Sequence, residues 1–269
     1  MEKRIYFSRC LAVVLFLLFT AIGGNAQDTD ESFTPYTGQS GKDVVWVPTP
    51  QALVDTMLAM AKVTSADYVI DLGSGDGRLV ITAAKRGATA LGIEYNPNMV
   101  EYARRAAIKE GVNAKATFEN ADIFESNFSK ATVITLFLMS DLNLRLRPTI
   151  LDMKPGTRIV SNTFNMSEWE PDQTVQIDEN SNWRTAHLWI VPAKVDGIWN
   201  LDDGRILFNQ KFQYITGTIT MGIVEMEFTG KLNGDKISFN AGGAEFTGTI
   251  DGNTISGTRT GGALWKATR

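Results

Sequence analysis

The sequence predicts an α/β protein: a mainly parallel sheet with helices on both faces, followed by a small antiparallel all-β domain. Three observations carry this. Short apolar runs alternate with helix-like stretches between residues 68 and 191, the pattern of consecutive βα units. A glycine-rich turn, Asp71-x-Gly73-x-Gly75-x-Gly77, stands directly after the first of those runs and before a helix. After Pro192 the periodicity changes. Residues 197–269 are rich in Gly and Thr, alternate apolar with polar residues and show no helical period.

Taken in order, residues 27–43 are polar and read as a flexible leader. Thr49-Pro50 is a helix start, an N-cap followed by proline at the first helical position. That helix runs to about residue 62, with Leu53, Met57, Leu58 and Met60 on its apolar face. Tyr68-Val69-Ile70 is a strand, and residues 78–86 are a helix. Ala90-Leu91-Gly92-Ile93 is a strand ending at Glu94. Asn96-Pro97 opens a helix to Glu110, which Gly111 stops. Ala116-Thr117-Phe118 is a strand leading to Asn120-Ala121-Asp122, and residues 133–137 are a strongly apolar strand. Residues 142–153 read as a helix that Pro148 breaks or kinks. Strands at 158–161, 174–177 and 184–191 complete a domain over residues 44–193. In the tail, Asp251-Gly252-Asn253 and Asn233-Gly234-Asp235 mark tight hairpin turns. Six to eight short strands in a barrel or sandwich are expected over residues 197–269, with Trp199 and Trp265 placed to close it.

Composition bounds the function. The chain has 269 residues, 43% of them hydrophobic, enough for a packed core. The N-terminus reads as an export signal over residues 1–26. Lys3, Arg4 and Arg9 precede an apolar run at 11–22, and Gly24-Asn25-Ala26 offers small residues for cleavage before Gln27. Twelve helical residues reach only ~18 Å, short of a ~30 Å hydrocarbon core, so cleavage is expected ahead of an uncleaved anchor. Either outcome places the rest outside the cytoplasm. Those 26 residues hold three basic side chains and one acid, so the overall charge of −4 becomes −6 without them. That opposes general nucleic-acid binding, which needs clustered Lys and Arg. Cys10 is the only cysteine. It precedes the apolar run, so the remainder has no thiol for disulfides, zinc or nucleophilic chemistry. His187, the only histidine, lies in an apolar run without companion ligands and reads as structural rather than metal-binding.

The glycine turn admits positive φ and close approach of a ligand, with free N–H groups at the next helix N-terminus. Arg78 occupies the last position of a G-x-G-x-x-G dinucleotide pattern, so that pattern fails, and no Walker lysine follows. A plain βα turn is the bland alternative. Glu94 can accept both hydroxyls of a ribose, or merely end its strand in solvent. Asp122 can accept from an adenine amino group while Ile123 covers the ring, or it can cap a helix.

Together, VIDLGSGDGR, GIEYNP and NADIFE resemble the S-adenosylmethionine (SAM) site of class I methyltransferases. VPTPQALVDTMLAMA before them, with TLFLMSDLNLRLRP and MKPGTRIVSNTF after, narrows the likeness. They resemble the lysine methyltransferases whose eukaryotic members modify the mitochondrial ATP-synthase c-subunit and adenine nucleotide translocator. The resemblance covers residues 46–171 and implies a Rossmann-like seven-stranded methyltransferase sheet. It implies that Asp71, Gly73 and Gly75 hold the methionine end of SAM, Glu94 the ribose and Asp122 the adenine. Thr49 would lie over the cofactor, and the segment after the fourth strand would face the substrate. The family pattern there often reads Pro-Glu where this chain has Ser140-Asp141. Asp141 is therefore the candidate for orienting the target amine, or else the N-cap of its helix. No N-P-P-[YF] motif follows that strand, which disfavours amide or adenine methylation. The expected activity is SAM-dependent N-methylation of a protein lysine, with a membrane-associated target implied by the family. The alternative is an exported binding protein with a methyltransferase-like fold and a β-rich recognition tail. The intact glycine loop and both acids favour the enzyme.

Overall fold

The structure, a computed structural model, describes residues 1, 33–178 and 182–269. The expected signal segment, apart from Met1, lies outside the described residues. Four helices and seven strands build the first part: α1 (Gln51–Met60), β1 (Tyr68–Leu72), α2 (Arg78–Lys85), β2 (Thr89–Glu94), α3 (Pro97–Lys109), β3 (Ala116–Asn120), β4 (Val133–Leu136), α4 (Ser140–Leu151), β5 (Arg158–Asn162), β6 (Gln173–Gln176) and β7 (Thr185–Ile190). Strand order is β3-β2-β1-β4-β5-β7-β6. The first five strands run parallel, and β7 is antiparallel to both neighbours.

Two apolar layers cover the sheet. Side chains of adjacent strand residues leave on opposite faces, and Val69 and Ile70 accordingly join different buried clusters. Leu53 and Met57 of α1, Leu79 of α2 and Ala103 of α3 pack in one cluster. Leu142, Leu146 and Ile150 of α4 pack in the other with Ile134 and Trp189. Helix α3 starts as its sequence dictates: the Asn96 side chain accepts from the Asn98 and Met99 N–H groups, and Gly111 follows the helix at φ 68°.

Two local expectations are corrected. Pro50, not Thr49, is the N-cap of α1, with no side-chain cap. Thr49 is buried and its hydroxyl instead accepts from Asn162 Nδ2 at 3.2 Å. Helix α4 runs unbroken through Pro148. Pro148 is exposed, so water can serve the carbonyl that loses its helical donor.

The tail forms β8 (Gly197–Leu201), β9 (Gly204–Lys211), β10 (Tyr214–Met221), β11 (Val224–Asn233), β12 (Lys236–Ala241), β13 (Ala244–Asp251), β14 (Thr254–Arg259) and β15 (Leu264–Thr268). They close into an eight-stranded antiparallel barrel. Closure is between β15 and β8, paired at Thr268 and Asn200. Trp265 and Trp199 stand on those two strands, buried in the barrel interior. Phe239 stacks on Phe246 at 4.8 Å and meets Trp265 edge-on at 5.7 Å, so aromatic rings fill the interior. The predicted turns at Gly234 and Gly252 have φ of 61° and 55°.

The barrel packs against the sheet. Phe212, between β9 and β10, stacks on Trp169 with centroids 5.9 Å apart. Gln213 beside it is fully buried and donates to the Glu170 carbonyl at 2.8 Å. Lys231 pairs with Asp172 at 2.9 Å.

Candidate functional site

A cavity of about 370 Å³ opens at the carboxyl ends of the parallel strands, where open α/β sheets bind ligands. Its floor is the loop between β1 and α2. Gly73, Gly75 and Gly77 have φ of 80°, 53° and 81°, a conformation side chains resist. Close packing adds a second constraint at Gly75, where a Cβ would meet the Trp46 indole nitrogen at 2.4 Å.

Two acids flank this loop, and one of them is fixed by it. The Gly75 N–H donates to Glu94 Oε2 at 3.0 Å and the Asn96 N–H to Oε1 at 2.9 Å. The carboxylate at the end of β2 is thus held in one orientation. Asp71, buried near the end of β1, accepts from the Thr135 hydroxyl at 2.6 Å. Burial pushes its carboxyl up to about 7, opposed by the Thr135 hydrogen bond and reinforced by the neighbouring charges of Asp76 and Glu94. Arg78, which broke the dinucleotide pattern, grips Asp76 through Nε at 3.0 Å and donates to the Thr49 carbonyl at 2.7 Å. It ties the glycine loop to the segment before α1.

That segment closes over the cavity. Spanning the end of the leader expected to be flexible, residues 38–46 form a small hairpin: Gly38 N–H donates to the Trp46 carbonyl and Trp46 N–H to the Gln39 carbonyl, both at 2.9 Å. It carries Lys42 to Asp122, with which it forms an ion pair, and over the Tyr95 ring at 4.7 Å. The Lys42 hydrogen bond holds the Asp122 carboxyl below its usual range, and the same bond raises Lys42. Asp122 caps no helix; its Oδ1 accepts from the Phe124 N–H two residues on, at 2.9 Å, in a turn.

Thr49, Asp71, Gly73, Gly75, Glu94, Asp122 and Ile123 all line this one cavity. Asp141 does not. It is exposed in the first turn of α4, whose N-cap is Met139, so it neither faces the cavity nor caps the helix. Its charge there complements the helix N-terminus. Lys42, Trp46, Phe137, Phe164 and Trp183 also line the cavity, and the sequence reading does not single them out. Phe137 directly follows a strand end and Phe164 lies two residues beyond one, a usable signal; Trp183 offers none. His187 is structural: Nε2 bonds the Thr163 carbonyl at 3.2 Å and Nδ1 the Thr174 hydroxyl at 2.9 Å.

The glycine cradle and the acids Asp71, Glu94 and Asp122 suit a nucleoside ligand with a cationic end. A family model described as the ANTKMT methyltransferase domain matches residues 71–173, wholly within the sheet domain. The chain is 38% identical over 151 residues to a protein-lysine N-methyltransferase of Saccharolobus islandicus (strain REY15A), covering 55% of this chain and 94% of that protein. It is 30% identical over 171 residues to the ATP-synthase c-subunit lysine N-methyltransferase of Homo sapiens, covering 62% of this chain and 73% of that protein. Among solved structures, an RNA methyltransferase from Salinibacter ruber in complex with S-adenosyl-L-homocysteine is 42% identical, with a TM-score of 0.53, over 55% of this chain and 96% of that one.

Proposed function

The chain belongs to the protein-lysine N-methyltransferase family, and from that premise we propose that it transfers methyl groups from SAM to a lysine of a membrane-associated protein. The cofactor is SAM and the activity is methyl transfer. The observation that carries the site is the convergence of the glycine loop, Asp71, Glu94 and Asp122 on one cavity. The membrane-associated target is drawn from the names of the ATP-synthase c-subunit methyltransferases among its relatives. Nothing in the fold or the relatives supports the alternative of an exported binding module.

Bound SAM supplies a methyl group already activated by its sulfonium. The residues supply position and field. Glu94, with its carboxylate held by two backbone N–H groups, would take the ribose hydroxyls. Asp122 and Ile123 would take the adenine, and Asp71 with the loop of Gly73 and Gly75 the methionine end. Thr49, pinned by Asn162, would close over it. Holding donor and amine together in a closed cavity is the main source of rate in such a reaction. The target amine must also shed a proton, since only about one lysine in 10³ is neutral at pH 7. Partial desolvation and the cationic cofactor favour that loss.

Incubation of the full chain with labelled SAM, membrane proteins and RNA, followed by mass spectrometry, identifies the acceptor. Methyl-lysine is expected. Label in RNA alone would instead align the chain with the activity named for its Salinibacter relative. For location, the basic residues ahead of the apolar run support export. N-terminal sequencing of the protein from cell envelopes should start at Gln27, and an intact N-terminus in the cytosol overturns this.

A further inference from the structure

The cavity has two chemically different halves. The acids sit over one side of the sheet: Asp71 on β1, Glu94 on β2 and Asp122 after β3. The other side, beyond β1 in strand order, is aromatic. Phe137 follows β4, Phe164 follows β5, and Trp183 belongs to the connection between β6 and β7. Their ring centroids lie 6.2 Å (Phe137–Phe164), 5.3 Å (Phe137–Trp183) and 5.9 Å (Phe164–Trp183) apart. Three chain segments far apart in sequence thus bring three rings to one wall. Leu138, Met139 and Leu142 extend that wall, and Asp141 lies outside it.

We propose that Phe137, Phe164 and Trp183 form the acceptor subsite, which holds the target lysine's ammonium by cation–π contact. This rests on the lysine reading above. An amine acceptor sets two opposed demands: the site must attract the charged form, yet release its proton before the nitrogen can attack. A carboxylate meets the first at the expense of the second, because an ion pair strongly stabilises the ammonium. A cation–π contact favours the ammonium too, but more weakly, so less is given up when the proton passes to water and the neutral nitrogen turns to the methyl group. The geometry is less suited to a nucleobase. The rings meet at 28°, 66° and 42° and pack against one another, leaving no parallel slot between faces. The net charge of −6 outside residues 1–26 opposes a polyanion.

The test uses the full chain loaded with S-adenosylhomocysteine, with tetramethylammonium, neutral tert-butanol and adenosine as probes. Binding is read by saturation-transfer NMR and calorimetry. Tetramethylammonium should bind and tert-butanol should not. Trp183→Leu and Phe164→Leu should each weaken the cation roughly tenfold, the scale of one desolvated cation–π contact, while Trp183→Phe retains most of it. Affinity for S-adenosylhomocysteine should stay within about threefold, and circular dichroism confirms folding. In methylation assays the leucine variants should raise KM for the lysine substrate more than they lower kcat. Equal binding of cation and tert-butanol, or leucine variants that bind the cation like wild type, overturns the proposal. If wild type labels lysine and the variants are unaffected, the subsite fails while the lysine reading stands. Preferential binding of adenosine, with label in RNA, overturns both.

Discussion

Asp71 lines the cavity as a buried carboxyl whose proton is held more tightly than usual because burial disfavours its charge. Its only side-chain hydrogen-bond donor among the described residues is the Thr135 hydroxyl. A carboxyl pushed up to about 7 is largely protonated in mild acid and ionised in mild base. A cationic ligand gains its partner only above that range, so SAM affinity should fall by up to about tenfold per pH unit below about 7. Calorimetric titration from about pH 5.5 to 8 checks this. Asp71→Asn should remove the slope, and a flat wild-type profile contradicts the assignment. The effect on folding has the opposite sign. The folded state binds this proton more tightly than the unfolded one, so stability contributed here falls as pH rises from about 4 to about 7. Asp71 was legible in the sequence because it opens the glycine turn, and Glu94 because it ends the next strand, 21 residues after Gly73. Lys42, Trp46 and Trp183 were not, because their segments reach the cavity by tertiary folding that no fixed spacing records. Asp141 misled for a related reason: its place after β4 was right, but the helical turn leaves its side chain exposed outside the cavity.

The glycine loop and the hairpin over it act as one device. Gly75 is constrained twice, by φ of 53° and by the Trp46 indole, which would lie 2.4 Å from the Cβ of any other residue there. Gly111 after α3 has φ of 68° but open space around it. Both alanine variants should lose about 1–2 kcal/mol for the left-handed backbone. Gly75→Ala must also displace Trp46, so it alone should weaken SAM binding, by roughly tenfold or more, the equivalent of about 1.4 kcal/mol. Thermal denaturation and SAM titration of the two variants separate the contributions. Equal SAM affinity in both would mean that Trp46 does not form part of the site. Element types followed from periodicity and punctuation, as at Asn96-Pro97 and Gly111. Helix α4 followed too; the break at Pro148 is absent, with Leu142, Leu146 and Ile150 packed against the sheet on either side of it.

At the scale of the molecule, sheet and barrel have separate cores but a shared boundary. Among the described residues, none from the barrel lines the cavity, while Phe212 and Gln213 pack on Trp169 and Glu170. Phe212→Ala should therefore cost about 1–3 kcal/mol in denaturant unfolding and leave SAM affinity within a few-fold. A large loss of affinity would show that the barrel shapes the cavity. The switch to a β-rich tail was legible from alternation and turn glycines. Closure was legible only as one of two options, barrel or sandwich, with Trp199 and Trp265 on the closing strands; hairpin signals do not encode the long-range pairing of first and last strands that decides between them. On this reading the cavity holds SAM through its acids, with Glu94 fixed by the Gly75 and Asn96 N–H groups. The most direct test is calorimetric titration of SAM into the full chain beside Glu94→Ala. Saturable one-site binding is expected, weakened roughly 10- to 150-fold by the substitution, the loss of about 1.5–3 kcal/mol for bonds to a charged acceptor. Absence of binding by wild type, or equal affinity in the folded variant, would contradict it.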